Sequence, residues 1–333
     1  MENNPSWQTQ RKIPDGERAG AFEGDAPLVS IVCDTYNHAP YVRDALDGFL
    51  LQKTAFPVEI IVHDDASTDG TAEIIREYEA AYPALFRCVY REENVYSRDP
   101  KILEHYVFPL VRGKYVAICE GDDYWTDPDK LQRQIDYMEA HPDCTLCVTS
   151  AEMVDPEKKH VGWVKPYEAD CDIPMEELIR GGGGFVATAS IVAPARLAKE
   201  RAAFCDMADV DDAVLQLWFG ANGTTRYFAK PACAYRYEVP GSWTKTFFAS
   251  DSEARIRHHE SMIRALKSFD DETGARWHGA VEYCVVHQQE FEVLRLRNDV
   301  RALNRPPYRG QYKMLPLRRR IRMHLAQKKL FRE

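Results

Sequence analysis

The stretch RGKYVAICEGDDYWTDPDKL (residues 112–131) couples an apolar strand, Tyr115 to Cys119, directly to a dense acidic turn of Glu120, Asp122 and Asp123. Carboxylates this close repel one another, so a folded chain keeps them together where something neutralises them. A hard divalent cation, Mg²⁺ or Mn²⁺, held by one or two carboxylates and by a substrate's phosphates, does this. A strand that ends in such a turn marks the ligand-binding edge of an α/β sheet, outside the carboxyl ends of the strands. The competing reading is a solvated acidic turn that caps a helix starting near Pro128.

Around this stretch strands and helices alternate. LVSIVC (28–33) is a continuous apolar run suited to a strand buried on both faces. Pro40 fits the first turn of a helix reaching about Lys53, with Val42, Leu46, Phe49 and Leu50 on its inner face. VEIIVH (58–63) is a second buried strand, followed by DDASTDG, where Thr68 or Asp69 caps a helix over 71–81. LFRCVY (85–90) is a third strand; a helix over 100–111 precedes the fourth, and a helix over 128–140 and a strand over 145–151 follow it. The rhythm implies right-handed crossovers and an α/β fold with a mostly parallel sheet flanked by helices.

Beyond residue 151 the pattern loosens. GGGGF (181–185) is a flexible or tightly approached loop, because four glycines hold a regular element poorly. A helix over 210–220 and short strands near 225–236 come next. Residues 252–298 read as long, charged amphipathic helices that either cover the sheet or pair two subunits as a homodimer. Residues 1–26 are polar and unpatterned, a flexible leader.

The 45% hydrophobic and 29% charged content are those of a soluble globular protein, with no run long enough to span a bilayer and no secretory-type N-terminus. The expected compartment is the cytoplasm. Nine cysteines, most of them inside apolar segments, fit buried reduced thiols rather than a disulfide framework. Cys144 and Cys147 form a CxxC without a second pair at zinc spacing, so zinc is not expected. From Arg301 to Glu333 eight Arg and three Lys face one Glu, a local charge of +10 that leaves −19 on the rest. An acidic body argues against nucleic-acid binding, and a basic tail suggests an anionic surface as partner.

VSIVCDTYN, EIIVHDDASTDGT and GKYVAICEGDDYWTDPDKL, in this order, resemble family 2 glycosyltransferases of the GT-A (Rossmann-like) fold. The resemblance covers roughly residues 28–245. It implies a leader over 1–26, a glycosyltransferase domain over 27–245 and a helical C-terminal extension over 246–333. Within the domain, a nucleotide-binding half would span 27–125 and an acceptor half 126–245. It further implies an inverting enzyme that uses a nucleotide-sugar donor, UDP-linked, with Mn²⁺ or Mg²⁺ as cofactor. The acceptor would be a glycan or lipid-linked saccharide of the bacterial surface. Asp34 and Tyr36 would lie at the nucleotide base, where Tyr36 offers a flat face; the alternative is that Tyr36 and Asn37 only shape the turn. Asp64 and Asp65 end the second strand, and a carboxylate there accepts the N3–H of uracil, a role the resemblance gives to Asp65. Glu120-Gly121-Asp122-Asp123 takes the place of the family's Asp-x-Asp-Asp. Asp122 and Asp123 are the better candidates for ribose and metal, with Glu120 keeping the charge. Trp125 is either a wall of the sugar pocket or a core anchor.

Inverting transfer also needs a carboxylate to take the acceptor's proton. DVDDAVLQLWFGANGTTRYF has the layout of the family's base helix and places Asp212 at the base position, with Asp211 as the alternative. The bland reading is that these acids only favour a helix N-terminus. Thr188 and Ser190 in FVATASIV are candidates for acceptor or sugar contacts. Where relatives often carry a His, this chain has Tyr235-Arg236-Tyr237-Glu238, so Arg236 either neutralises the leaving group or packs. In the tail, Leu317, Ile321 and Leu325 recur every four residues among Arg318–Arg320, Arg322, Lys328 and Lys329. Such a segment lies in a membrane interface or packs on an acidic surface of its own chain or of a partner. The rival functions are a catalytically silent sugar-nucleotide-binding or scaffold protein and a nucleotidyltransferase. The latter wants a Gly-rich basic loop that DTYNHAPY does not supply.

Overall fold

The apolar run at 28–33 becomes β1 (Val29–Thr35), with Val29, Ile31, Val32 and Cys33 fully buried. Both of its edges are hydrogen-bonded and both faces covered, which is why its sequence is apolar without alternation. A computed structural model describes residues 26–330, so all but the last residue of the expected leader lies outside the described residues. After β1 come α1 (Val42–Leu50), β2 (Val58–Asp64), α2 (Thr71–Ala81), β3 (Phe86–Tyr90), β4 (Tyr115–Ile118), β5 (Tyr124–Trp125), α3 (Lys130–Ala140) and β6 (Cys144–Val154). The second half holds β7 (His160–Val164), β8 (Cys171–Asp172), α4 (Met175–Gly181), β9 (Val192–Pro194), α5 (Ala195–Lys199), α6 (Asp212–Ala221) and β10 (Thr224–Arg236). The C-terminal part is helical: α7 (Trp243–Ala249), α8 (Ser252–Glu272), α9 (His278–Cys284), α10 (Phe291–Leu296), α11 (Val300–Leu303), α12 (Arg309–Met314) and α13 (Leu317–Leu330).

Among the described residues the strands form one sheet in the order β3-β2-β1-β4-β9-β6-β10-β5, with β7 on β6 and β8 on β10. The pairs β2–β3, β1–β2, β1–β4 and β6–β10 are parallel; β9 enters antiparallel between β4 and β6. The expected helix over 100–111 is reduced to two short turns, Leu103–Val107 and Phe108–Leu110, since Pro109 lacks the N–H that a continuing helix needs. The short strands expected near 225–236 are one strand, irregular between Phe228 and Cys233, where Pro231 likewise removes a ladder donor. α2 starts after Gly70 at φ +98°, and Asp69 helps by accepting from the Thr71 N–H at 3.1 Å.

One core lies between the sheet and α1–α3, built around Leu46, Phe49, Trp125 and Leu131. A second, on the opposite face, holds Phe108, Leu178, Leu215 and Phe219. The C-terminal helices extend this layer: Leu266 and Phe269 of α8 share a cluster with Val214 and Leu217 of α6. They therefore cover α6, and the boundary expected at residue 245 falls inside α7. All nine cysteines are free thiols, Cys144 and Cys147 buried together on β6. Among the described residues no helix is long and apolar enough to cross a membrane.

Candidate active site

The acidic turn leaves β4 pressed against the end of β1. The Cys119 N–H donates to the Val32 carbonyl at 3.1 Å, and the Gly121 N–H to the Asp34 carbonyl at 3.0 Å. A side chain at 121 would meet Thr35 Cγ2 at 2.4 Å and His38 Nδ1 at 3.0 Å, so glycine is required there. This approach packs acids from two strands together. Burial, then the charges of Asp34, Asp123, Asp122 and Asp212, drive the Glu120 carboxyl far above its ordinary range. Asp34 is pushed up to about 6, mainly by burial and further by Asp122, with His38 opposing. Asp122 faces His38 Nε2 at 3.9 Å. Asp123 turns inward, its Oδ1 accepting from the Arg236 N–H at 2.8 Å.

Two predicted residues lie beneath this surface. Trp125, 2% exposed, donates its indole N–H to the Ala189 carbonyl at 2.7 Å and packs edge-on against Phe49 at 4.9 Å. Of its two readings the structure therefore selects the core anchor. Arg236 is buried with one nitrogen on the Asp122 carbonyl and the other on Asp44 Oδ2, and its guanidinium lies 4.8 Å from the rings of Tyr41 and Tyr124. It braces the acidic turn from below, which is the packing alternative of its two readings.

The loops after β1 and β2 clasp each other. Asn37, at φ 56°, takes the Thr68 N–H on its Oδ1 at 2.9 Å and gives its own N–H to Ser67 Oγ at 2.8 Å. This leaves the Tyr36 ring 46% exposed at the rim. Asp64 accepts from Thr35 Oγ1 at 3.2 Å and from the Ser67 N–H at 3.1 Å. Asp65 is buried and accepts from Asn94 Nδ2 and the Val95 N–H at 2.8 Å each, and from the Tyr96 N–H at 3.0 Å. A carboxylate has about four acceptor positions, so one remains for a ligand. Asp65 thus also fixes the 94–96 loop. Tyr96 is 48% exposed overall; desolvation of its phenol, then the charges of Asp34, Asp209, Asp211 and Asp212, push it up.

Across from the turn stands the start of α6. Asp211 is clamped by Lys101 Nζ at 2.9 Å and by Arg201 at 3.3 Å. Asp212 has no ion pair among the described residues; its Oδ1 accepts from the Ala213 N–H at 2.6 Å. Burial, then the Asp211 charge, raise the Asp212 carboxyl above its ordinary value against that hydrogen bond. The glycine loop presses on it: a Cβ at Gly183 would lie 3.0 Å from Asp212 Oδ2, and Gln216 Nε2 holds the Gly183 carbonyl at 2.8 Å. Thr188 is half-buried in a short turn before β9, whereas Ser190 is fully buried and donates to the Ala187 carbonyl at 2.7 Å.

Residues 30–185 match the Glycosyl transferase family 2 domain. The chain carries a family 2 glycosyltransferase domain. It is 42% identical over 166 residues to an uncharacterized protein of Mycobacterium tuberculosis, an alignment spanning 49% of this chain and 46% of that relative. Over 112 residues it is 35% identical to the putative teichuronic acid biosynthesis glycosyltransferase TuaG of Bacillus subtilis, spanning 34% of this chain and 42% of TuaG. The chain thus spans less than half the length of these curated relatives. In fold it is similar to S. aureus TarS 1–349 crystallised with UDP-GlcNAc, at a TM-score of 0.56 and 14% identity over 89% of this chain and 79% of that one. The complex of TarS 1–349 with UDP gives a TM-score of 0.54 at 15% identity, over 87% of this chain and 76% of that one.

The donor set at this site decides its fit to a divalent cation. Among the described residues no three His, Cys, Asp or Glu side chains close around one point as a ready-made cage. The acidic turn and the end of β1 instead offer mainly carboxylate oxygens, with Asp34 Oδ1 and Asp123 Oδ2 buried and unpartnered, beside one imidazole nitrogen, His38 Nε2, 3.9 Å from Asp122. That suits Mg²⁺ or Mn²⁺ held by one or two carboxylates and completed by phosphate oxygens. Sequence reasoning missed His38, Asn94, Tyr96, Lys101, Arg201 and Asp44. None of them stands in a pattern that the sequence shows; Lys101 looks like any surface lysine until its burial is seen.

Proposed function

We propose that this chain is an inverting, metal-dependent glycosyltransferase acting in cell-surface polysaccharide synthesis. It moves a sugar from a nucleotide sugar, UDP-linked, to a hydroxyl of a glycan or lipid-linked saccharide. The reading rests above all on the match of residues 30–185 to family 2 glycosyltransferases together with the start of α6, where Lys101 holds Asp211 at 2.9 Å while Asp212 has no ion pair among the described residues. The similarity to TuaG supports a surface-polysaccharide setting, at the cytoplasmic face of the membrane.

Tyr36 stacks on the base, Asp34 and Asp65 bind the nucleoside, and Asp122 and Asp123 bind ribose and metal with Glu120 beside them. A divalent cation bound there supplies positive charge to the leaving diphosphate. Asp212 accepts the acceptor hydroxyl's proton as that oxygen bonds to the anomeric carbon, while the bond to the diphosphate breaks and UDP leaves with the electron pair. Thr188 borders the acceptor side. Arg236 and Asp211 act as positioning residues.

A thermal-shift panel of UDP-sugars with and without Mn²⁺, followed by an assay for slow UDP release, tests this. Metal-dependent stabilisation by one UDP-sugar together with sugar release supports it. Stabilisation without any release points to a silent binding module, and no stabilisation by any nucleotide sugar removes the proposal.

A further inference from the structure

The tail helix α13 is fixed on the body by one side only. Met323 is 4% exposed and shares a small core with Phe291, Val300, Leu303 and Tyr312. At about 100° per residue, Leu317, Ile321 and Leu325 fall on the opposite side of the helix from Met323. They are 63%, 49% and 58% exposed, and Met314, one turn earlier, is 85% exposed. Arg318 and Arg322 follow this stripe around the helix and are themselves exposed. The α13 sequence holds four Arg and two Lys and no acid. Nearby, Arg255 lies 5.4 Å over Phe247 of α7 and also acts on Arg319, so the exposed Trp243 and Phe248 of α7 border the same basic region.

We infer that α13 docks this protein onto an anionic lipid surface, with Leu317, Ile321 and Leu325 in the acyl boundary and Arg318 and Arg322 at the headgroups. An apolar stripe turned away from the body and flanked by cations is the arrangement an interfacial helix needs. Long arginine side chains reach the headgroups while their stems cover apolar surface. A polyanion such as nucleic acid would have no use for the stripe. A second copy fits poorly: a few partly exposed side chains fall short of the ~800 Å² per partner of a stable interface, and two such helices would bring like charges together. The inference is independent of the sugar-transfer reading, because α13 contributes nothing to the site.

Sedimentation of the full chain with phosphatidylcholine vesicles, with and without phosphatidylglycerol, tests it. Binding is expected only with phosphatidylglycerol. R318E/R322E lowers the partition coefficient by about fivefold or more per arginine. L317S/I321S/L325S, which keeps every charge, lowers it at least about tenfold. Both variants keep Met323, so the thermal melt and far-ultraviolet circular dichroism in solution should match wild type and show that the fold is intact. Equal binding by the triple-serine variant, or binding to neutral vesicles alone, overturns the proposal. So does a wild-type dimer in ultracentrifugation that the triple-serine change dissolves while vesicles remain unbound.

Discussion

Lys101 reaches across 110 residues of sequence to hold Asp211 Oδ1 at 2.9 Å. The same ammonium bonds the Cys205 carbonyl at 3.0 Å, so it fastens the segment leading into α6. Two adjacent acids thereby part in character: Asp211 is neutralised by Lys101 and Arg201, and Asp212 keeps an unpaired, raised carboxyl beside the acidic turn.

Their substitutions should therefore diverge. Asp212→Asn is expected to lower kcat by about 10²- to 10⁴-fold while leaving the melt and UDP affinity near wild type. Asp211→Asn removes a carboxylate from two buried cations, of which Arg201 keeps Glu104 at 2.8 Å and Lys101 keeps the Cys205 carbonyl at 3.0 Å, and should destabilise the fold by about 1.5–3 kcal/mol. Steady-state kinetics and calorimetry on both variants check this; reversed roles would move the base to Asp211.

Arg236 is expected to matter through stability. Arg236→Ala removes both contacts to the acidic turn and Asp44, at about 3–5 kcal/mol. Lys158, at 2.7 Å from Asp44, softens the loss. Arg236→Lys restores the charge but not the two-pronged geometry, so it should recover less than half. A residue serving the leaving group directly would give an Ala variant with an unchanged denaturation midpoint and a low kcat.

Trp125→Phe should cost about 1–3 kcal/mol, since it leaves the buried Ala189 carbonyl without its donor. Donor KM should stay unchanged, because the ring is buried, packed between Phe49 at 4.9 Å and the Lys130 ammonium at 4.3 Å. A raised KM at normal stability would return Trp125 to the sugar pocket.

The acids predict a pH effect of definite sign. The folded-state value of Asp34, about 6, lies above the ordinary 3.8, so folding favours its protonated form. That stabilisation is complete below the ordinary value and is lost as pH rises through about 6. The metal-free protein should thus be less stable at about pH 7.5 than at about pH 5, by on the order of 1–2 kcal/mol after solvent screening. Mn²⁺ should raise Tm more at the higher pH, where the acids are charged. Equal metal effects at both pH values, measured by scanning calorimetry, would contradict the fit of a cation to this cluster.

The strands β1, β2 and β4 were legible because burial on both faces writes an unbroken apolar run, and the acidic turn because four adjacent positions carry it. Contacts that bridge distant segments leave no such trace. Arg236 and Asp44 are 192 residues apart, and nothing periodic links them. The Asp65 hold on residues 94–96 lies in a segment without regular structure, and β9 is only three residues long. Trp125 and Arg236 each had two readings, and only their surroundings separate them.

The central claim is that the acidic turn after β4 binds a nucleotide sugar's diphosphate through a divalent cation. Crystals soaked with manganese and UDP, recorded at the manganese absorption edge, address it directly. The expected result is an anomalous peak about 2.2 Å from a carboxylate oxygen of Asp122 or Asp123, with the diphosphate on its far side and uracil against Tyr36. Manganese and UDP bound elsewhere, with the turn bare, would contradict it.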